Sequence, residues 1–531
     1  MLKLNFWKIL FILILFFSPS CIFAAEGDLS WFTNYNPINN DDYSGSVAVD
    51  STGVYQTGSS DVSGWHHGQG IIKQWTLNGG VGAWEKTTTP FGFTGGAGGV
   101  VLDNLGVYVI SADDKPGNGD YQWIIDKFDK SGNLIWKKIS NPTAGTDQPT
   151  GIIADSSGVY IIGYESLGAG RLWRIEKRDI NSGNLIGTFG SGGVVKSDPT
   201  PDSDYPSGIA IDSNYMYISG YQGQGGANLV KWRIEKRSLT SGNFDPSFGS
   251  GGIIIKDISA MFDILYAIDV DSSGFYVSGC EWWVAGACEK WHIEKWPLNG
   301  SAPIWTQIIN TGGPFGPDTG LNINLKITSN SLFTFATKIT SNVYHWRIEK
   351  RDLNTGNLDI KFKNSGILDI YPPAPTWSGG MAINNTGLYI AGMETLPLFC
   401  LPPWPFGPCT PANLQWRLEK RELSCRGPFS FIWTDNPLVG GATSLNSVHF
   451  NELANAIDTL RADAALPAVS WSYVTNSVSD VQFNTLRAKL EEVYTACGQP
   501  IPVWTGGAVT NASPLKASQV TELRNAIANA R

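Results

Sequence analysis

Charge is scarce in this chain. Only 16% of its 531 residues are Asp, Glu, Lys or Arg, against ~25% in ordinary soluble domains. Basic charge is the shorter side: 38 Lys and Arg face 47 Asp and Glu, for a net charge of −9. That balance argues against nucleic-acid phosphate as the partner. Histidine and methionine are rare, with five of each. No Cys-x-x-Cys occurs and the histidines (His66, His67, His292, His345, His449) lie away from the cysteines, so a zinc site is not indicated. No His-Glu-x-x-His, Gly-x-Ser-x-Gly or phosphate loop is present. The Ser-x-Asp-x-Gly-x-Thr-Trp box of sialidase type is missing too. No motif asks for a cofactor. After the first 25 residues no apolar run is long enough to span a bilayer, and no long helical pattern occurs before residue 445.

The N-terminus carries one short apolar run. Lys3 and Lys8 precede Ile9–Phe17, Pro19 breaks the run, and Ala24 places a small residue before a cut. This pattern predicts a cleaved secretory signal peptide over 1–25, and a protein that is extracellular or periplasmic. Cysteine usage agrees with export. Six cysteines follow Cys21: Cys280, Cys288, Cys400, Cys409, Cys425 and Cys497. An even count in an exported chain points to disulfides. Cys280/Cys288 and Cys400/Cys409 each bracket one loop, which leaves Cys425 and Cys497 for each other.

What the chain has is glycine (60), tryptophan (21) and repetition. One phrase runs small-apolar-Asp, a Gly-containing turn, then apolar-Tyr-apolar-x-Gly. Asp155 to Tyr160 and Asp271 to Tyr276 are its clearest copies. Asp50, Asp103, Asp212 and Asn384 head others, and Thr328 to Phe333 is a degenerate one. Seven copies lie about 56 residues apart, a spacing that suits propeller blades or solenoids. The Asp/Ser/Gly cluster reads as hairpin-turn chemistry. Each turn supplies too few carboxylates for calcium.

A second phrase, Trp-x-Ile-x-Lys, starts at Trp173, Trp232, Trp291, Trp346 and, with Leu418, Trp416. Trp123 heads a looser copy, and Gly70-Ile71-Ile72 stands in its place in the first unit. Alternation makes this a strand with Trp and Ile on one face and Arg and Glu on the other. Six repeated tryptophans admit two readings, an aromatic ligand cage or packing between sheets. One residue type at one strand position favours packing. The Arg/Glu face is expected to form ion-pair ladders. A fourth strand follows, as in Asn133 to Trp136 and Pro303 to Trp305. The seventh unit lacks one, but Asp28 to Trp31 has the missing pattern. The N-terminal strand is therefore expected to close a ring, which removes exposed sheet edges.

These units resemble the bacterial delta-60 propeller repeat. The likeness rests on Gly183-Asn184-Leu185 with Thr188 to Val194, Gly242 to Gly252, and Gly356 to Gly366. It implies an exported bacterial β-propeller and transfers no catalytic residue. Asp129-Lys130-Ser131-Gly132 with Trp136 also resembles the tryptophan-docking repeat of quinoprotein dehydrogenases, with one residue fewer between Asp and Ser and no sustained copy around the ring.

Composition changes at Arg426-Gly427-Pro428. Three segments then show helical spacing, at Leu453/Ile457/Leu460, Leu486/Leu490/Val493 and Val520/Leu523/Ile527. Trp433, Trp471 and Trp504 precede them, one per unit, and are expected to hold a three-helix module together. The segment resembles C-terminal helical repeats of exported bacterial proteins. The predicted architecture is mainly β: a seven-bladed β-propeller over 26–425 and a three-helix module over 426–531.

In this strand order one ring face receives the Asp/Ser/Gly turns. The other receives the loops between second and third strands and the links between blades. That second face is expected to bind a glycan or protein through Trp65, His66, His67, Trp282, Trp283 and Trp404, since variable loops on a rigid scaffold carry binding surfaces and exposed tryptophan stacks on sugars or anchors interfaces. The same aromatics packing within their own loops is the competing reading. An exported propeller enzyme, quinone-dependent or carbohydrate-active, is the alternative function.

Overall fold

The structure, a computed structural model, describes residues 26–36, 41–61, 68–89, 97–114, 120–168, 170–223, 229–260, 262–284, 287–310, 318–340, 343–371, 377–395, 414–423, 447–463, 469, 471, 479–496, 501–505 and 516–529. The chain divides into two compact units, Leu29–Arg421 and a second that holds Glu422–Arg531 with the N-terminal residues to Asp28.

The first unit is a seven-bladed β-propeller. Blade 1 runs from Asp42 to Thr87, blade 2 from Ala97 to Ser140 and blade 3 from Gln148 to Ser197. Blades 4 to 6 follow over Tyr205–Lys256, Ile264–Asn310 and Asp318–Ile370. Each is a four-stranded antiparallel sheet, and the first strands of successive blades neighbour one another around the ring. Blade 7 has three strands from the chain's end, Trp377–Asn384, Gly387–Thr395 and Leu414–Arg421. Its fourth is Leu29–Tyr35, which pairs with Leu414–Arg421 from Leu29↔Arg421 to Tyr35↔Trp416. The expected closure is thus present.

The repeated aspartates make the turns. Asp155 Oδ1 accepts from the backbone N–H groups of Ser157 (2.7 Å) and Gly158 (3.1 Å). Asp103, Asp212 and Asp271 do the same for their own turns. These carboxylates are used by their own backbone, which is why the turn recurs.

The third strands are the interior. Trp123, Trp173, Trp232, Trp291, Trp346 and Trp416 are all buried. Each packs toward the next blade. A Cβ added to Gly163, Gly220, Gly279, Gly392 or Gly58 would lie within 2.6 Å of the indole of Trp123, Trp173, Trp232, Trp346 or Trp416, respectively. The glycine ending the first phrase is therefore the socket for the preceding blade's tryptophan. Blade 1 has Gly70 where the others have tryptophan, and the facing residue of blade 2 is Ser111 rather than glycine. Repeated tryptophan here is packing, not a ligand cage.

Opposite the indoles lie buried charges. Glu176 takes Arg174 on one oxygen (2.8 Å) and Arg178 on the other (2.6 Å). Glu235 with Arg233 and Arg237, Glu349 with Arg347 and Arg351, and Glu419 with Arg417 and Arg421 repeat the arrangement. The preceding blade adds a donor: Ser140 to Glu176, Ser197 to Glu235 and Lys256 to Glu294. Burial works to raise the Glu176 carboxyl, but Arg178, Arg174 and Ser140 outweigh it and hold it below the usual carboxylate range.

A second aromatic series corrects the sequence reading. The docking motif looked unsustained, yet the contact runs through most of the ring. The indole N–H groups of Trp31, Trp84, Trp136 and Trp305 donate to carbonyls of Leu77, Lys130, Ile180 and Leu353 in the following blade. Gly79, Gly132, Gly183 and Gly356, all with φ between 69° and 84°, lie against those same rings. Phe189 and Phe248 meet Gly242 and Gly300 in the same way. Phenylalanine keeps the contact while hiding the motif.

The second unit contains three helices, α1 (Ser447–Asp463), α2 (Asp480–Ala496) and α3 (Ala517–Asn529). All nine residues of the expected apolar stripes are buried in one core. Ser479 and Gln482 form a reciprocal capping box at the start of α2. Trp471 and Trp504 donate to Asp458 (2.6 Å) and Glu491 (2.5 Å), equivalent positions on α1 and α2. Arg487 of α2 pairs with Glu522 of α3, and Arg524 of α3 with Glu452 of α1.

Candidate functional site

First strands start, and second strands end, on one face of the propeller. In every blade the first strand bulges just after its start, for instance between Pro149 and Gly151, Pro206 and Gly208, and Leu265 and Ala267. A bulge adds an unpaired residue and re-aims its side chain. In blade 5 that residue is Tyr266. The neighbouring bulge residue Ser207 donates to the carbonyl of Leu265, tying blades 4 and 5 together beside it.

Buried aspartates brace the starts of these strands. Asp147 accepts from Thr143 N and Oγ1 and from Ser166 N. Asp204 accepts from Thr200 N and Oγ1 and from Gly223 N. Asp263 holds Ile258 and Ser259. Burial pushes the Asp204 carboxyl up to about 6, against those hydrogen bonds. These three groups pin the links that lead into blades 3, 4 and 5.

On this bracing stands an aromatic cluster spanning blades 3 to 5. Tyr164 lies in the last part of the strand Gly158–Leu167, and its hydroxyl donates to Gln148 Oε1 at 2.6 Å. Tyr205 begins the next blade and lies opposite Tyr221. Ring centroids are 5.1 Å apart for Tyr164–Tyr205 and 5.1 Å for Tyr205–Tyr221. The guanidinium of Arg171 sits 5.0 Å from both the Tyr164 and the Tyr205 centroid, and its Nη1 donates to the Tyr205 hydroxyl. Asp204 N binds the Arg171 carbonyl at 2.9 Å, fixing the strand that carries it. Tyr164 is buried, whereas Arg171, Tyr205, Tyr221 and Tyr266 keep part of their surface open. Burial pushes the Tyr164 hydroxyl up to about 12, Arg171 opposing it. Burial alone raises that of Tyr266, and burial is the main cause at Tyr221. The hydroxyls of Tyr164, Tyr221 and Tyr266 remain neutral, able to donate and to accept.

Sequence reasoning placed the site on this face but chose other residues. Trp65, His66, His67 and Trp404 lie outside the described residues, as do Cys400, Cys409, Cys425 and Cys497. Trp282 and Trp283 fall on the strand Gly274–Val284, with Trp283 opposite Cys288, and their side chains lie outside the description. Cys280 and Cys288 are bonded, as expected. They do not clasp a large loop, however: the strands they join run on to Val284 and restart at Ala287, so the bond staples a tight hairpin. His292 is buried on the third strand between Glu281 (2.6 Å) and Glu294 (3.8 Å), a structural position.

The missed cluster had a signal in departures from the repeat. Tyrosine follows the socket glycine only at Gly163-Tyr164 and Gly220-Tyr221. The position of Arg171 holds Gly68, Tyr121, Val230, Glu289, Tyr344 and Leu414 in the other blades. Among the described residues no group of three or more His, Cys, Asp or Glu is placed to hold a metal ion.

No family model matches the chain, and no curated protein does. Solved structures do, among them a phage phi92 endosialidase with a TM-score of 0.38 and 9% identity, over 78% of this chain and 71% of that one. A likeness at that level carries no argument about this protein. The class defined by the coordinates is a seven-bladed β-propeller with a small all-α module.

Proposed function

We propose that this is an exported, non-catalytic binding protein whose ligand, a glycan or a protein, docks on the face where the first strands start. The observation that supports this reading is the partly open cluster of Arg171, Tyr205, Tyr221 and Tyr266 on that face. Tyrosines offer rigid apolar area with a polar tip, and arginine is enriched with them at binding hot spots. Trp65, His66, His67, Trp282, Trp283 and Trp404, which by sequence lie in or beside the second-to-third-strand connections, are the further residues we assign to this binding surface. The signal-peptide pattern of residues 1–25 and the Cys280–Cys288 disulfide suit an oxidising compartment outside the cytoplasm.

The test is a glycan array and a protein pull-down on the exported chain and on Tyr205→Ala, Tyr266→Ala, Trp65→Ala, Trp283→Ala and Trp404→Ala variants. Weakened binding in the tyrosine variants and in at least one tryptophan variant is expected. Unchanged binding in all five removes this face. Quinone-stimulated dye reduction or glycan cleavage by the wild type overturns the non-catalytic reading.

A further inference from the structure

Among the described residues, the cations around the tyrosine cluster are paired with carboxylates, with one exception. Arg174 is held by Glu165 and Glu176, Lys196 by Glu165, Arg233 by Glu235, and Lys231 by Asp257. Among the described residues Arg171 has no carboxylate partner. Its contacts are two tyrosine rings and one tyrosine hydroxyl. Its Nε is buried and makes no hydrogen bond. An unused guanidinium N–H in a desolvated setting costs stability unless something completes it. Packing among the rings is no reason to keep a cation there, because no other blade has one at this position: five carry an uncharged residue and blade 5 carries Glu289.

We propose that Arg171 and the tyrosines form a binding subsite for a carboxylate-bearing sugar, such as a uronic acid unit of an acidic glycan. This deepens, and rests on, the proposal that the same face binds a ligand. A guanidinium presents its N–H groups as a planar fork that matches a carboxylate in two-pronged fashion. Stacking between Tyr164 and Tyr205 holds that fork in orientation before the ligand arrives, so less freedom is lost on binding. The partly open Tyr205, Tyr221 and Tyr266 supply ring faces for the apolar side of a pyranose and hydroxyls for its OH groups. One unpaired cation suits a monoanion better than a phosphate dianion, for which a second cation would be expected at the site. The chain's net charge of −9 opposes a polyanion at long range. Binding is therefore expected to be local and of moderate affinity.

The experiment measures binding of the full exported chain to oligomers of galacturonate, mannuronate and glucuronate-containing hyaluronan, each beside its carboxyl-reduced neutral counterpart. The wild type is expected to prefer at least one acidic oligomer over its neutral form. Arg171→Gln should lose that oligomer by about ten- to hundredfold, the range for a charge-assisted hydrogen bond, while neutral sugars are unaffected. Arg171→Lys keeps the charge without the fork, and should retain the preference at reduced affinity; it also carries the test if the Gln variant unfolds. Equal affinity for acidic and neutral forms, or a preference that survives Arg171→Gln, overturns this inference while leaving the docking face standing. Ligand binding that is insensitive to Arg171, Tyr205 and Tyr266 together overturns both.

Discussion

Glu176→Gln isolates the charge ladder that runs through the third strands. The carboxylate is fully buried and receives Arg174 Nε (2.8 Å), Arg178 Nε (2.9 Å), Arg178 Nη2 (2.6 Å) and the Ser140 hydroxyl of blade 2. An amide of the same shape removes the charge, leaves the buried Arg178 guanidinium without its carboxylate and leaves Arg174 with Glu165 alone. Breaking one partner of a buried pair costs about 3–5 kcal/mol. Ser140→Ala, which removes one donor and leaves the ions, should cost only about 1 kcal/mol. Urea unfolding followed by tryptophan fluorescence reads both as shifts of the midpoint. The pH dependence supplies a second handle. The folded Glu176 carboxyl titrates below its ordinary value of 4.5. Its contribution is thus full above that value and fades as pH falls through the folded value. The stability gap between wild type and Glu176→Gln should be widest near neutrality and shrink in acid. Replacing Arg174, Glu176 and Arg178 together by Met, Leu and Met should cost much less than Glu176→Gln alone, because no buried charge is orphaned. A loss below ~1 kcal/mol in Glu176→Gln, or a gap that does not narrow in acid, would refute the reasoning, since both follow from buried-pair energetics.

Three further outcomes follow from the fold. Deleting residues 26–36 strips the outer strand from Leu414–Arg421 and should cause aggregation through the exposed edge; a monomer of unchanged stability would show that closure by Leu29–Tyr35 is dispensable. Gly220→Ala places a Cβ 2.2 Å from the Tyr205 carbonyl and 2.6 Å from Trp173, and should cost about 1–3 kcal/mol or more. Gly187→Ala, which meets nothing within 4 Å, should leave stability level or raise it by about 0.4–1 kcal/mol; equal unfolding midpoints for the two would contradict the socket. The double change Cys280→Ser and Cys288→Ser opens a bond across eight residues and should cost about 2–3 kcal/mol in the chain-entropy model, read by thermal unfolding. Non-reducing peptide maps of the same samples decide whether Cys425 and Cys497 are joined.

The repeating part of this protein was legible because each phrase has a local cause. Asp155 caps its own turn, Trp173 sits at one strand position, and Leu453, Ile457 and Leu460 share one helix face; none of these needs knowledge of the other blades. Closure was legible too, because Trp31 supplied the outer strand that Arg421 lacked. The Trp–Gly sockets and the Phe189 and Phe248 contacts were hidden, since they pair residues about a blade apart and tolerate a change of aromatic. The candidate site was hidden for a related reason. Tyr164, Arg171, Tyr205, Tyr221 and Tyr266 come from five strands in three blades. Each is only a departure from its own repeat until the register brings them together. The bulge that redirects Tyr266 leaves no mark in residue type, because Thr150, Ser207 and Tyr266 occupy equivalent places.

The docking face is tested most directly by hydrogen-exchange footprinting of the exported chain with and without the tightest ligand from the array. Protection is expected in the segments around Tyr164 to Arg171, Asp204 to Ser207, Ser219 to Gly223 and Ile264 to Tyr266. Protection confined to the turns at Asp155 to Gly158, Asp212 to Tyr215 and Asp271 to Gly274, on the opposite face, would contradict the account.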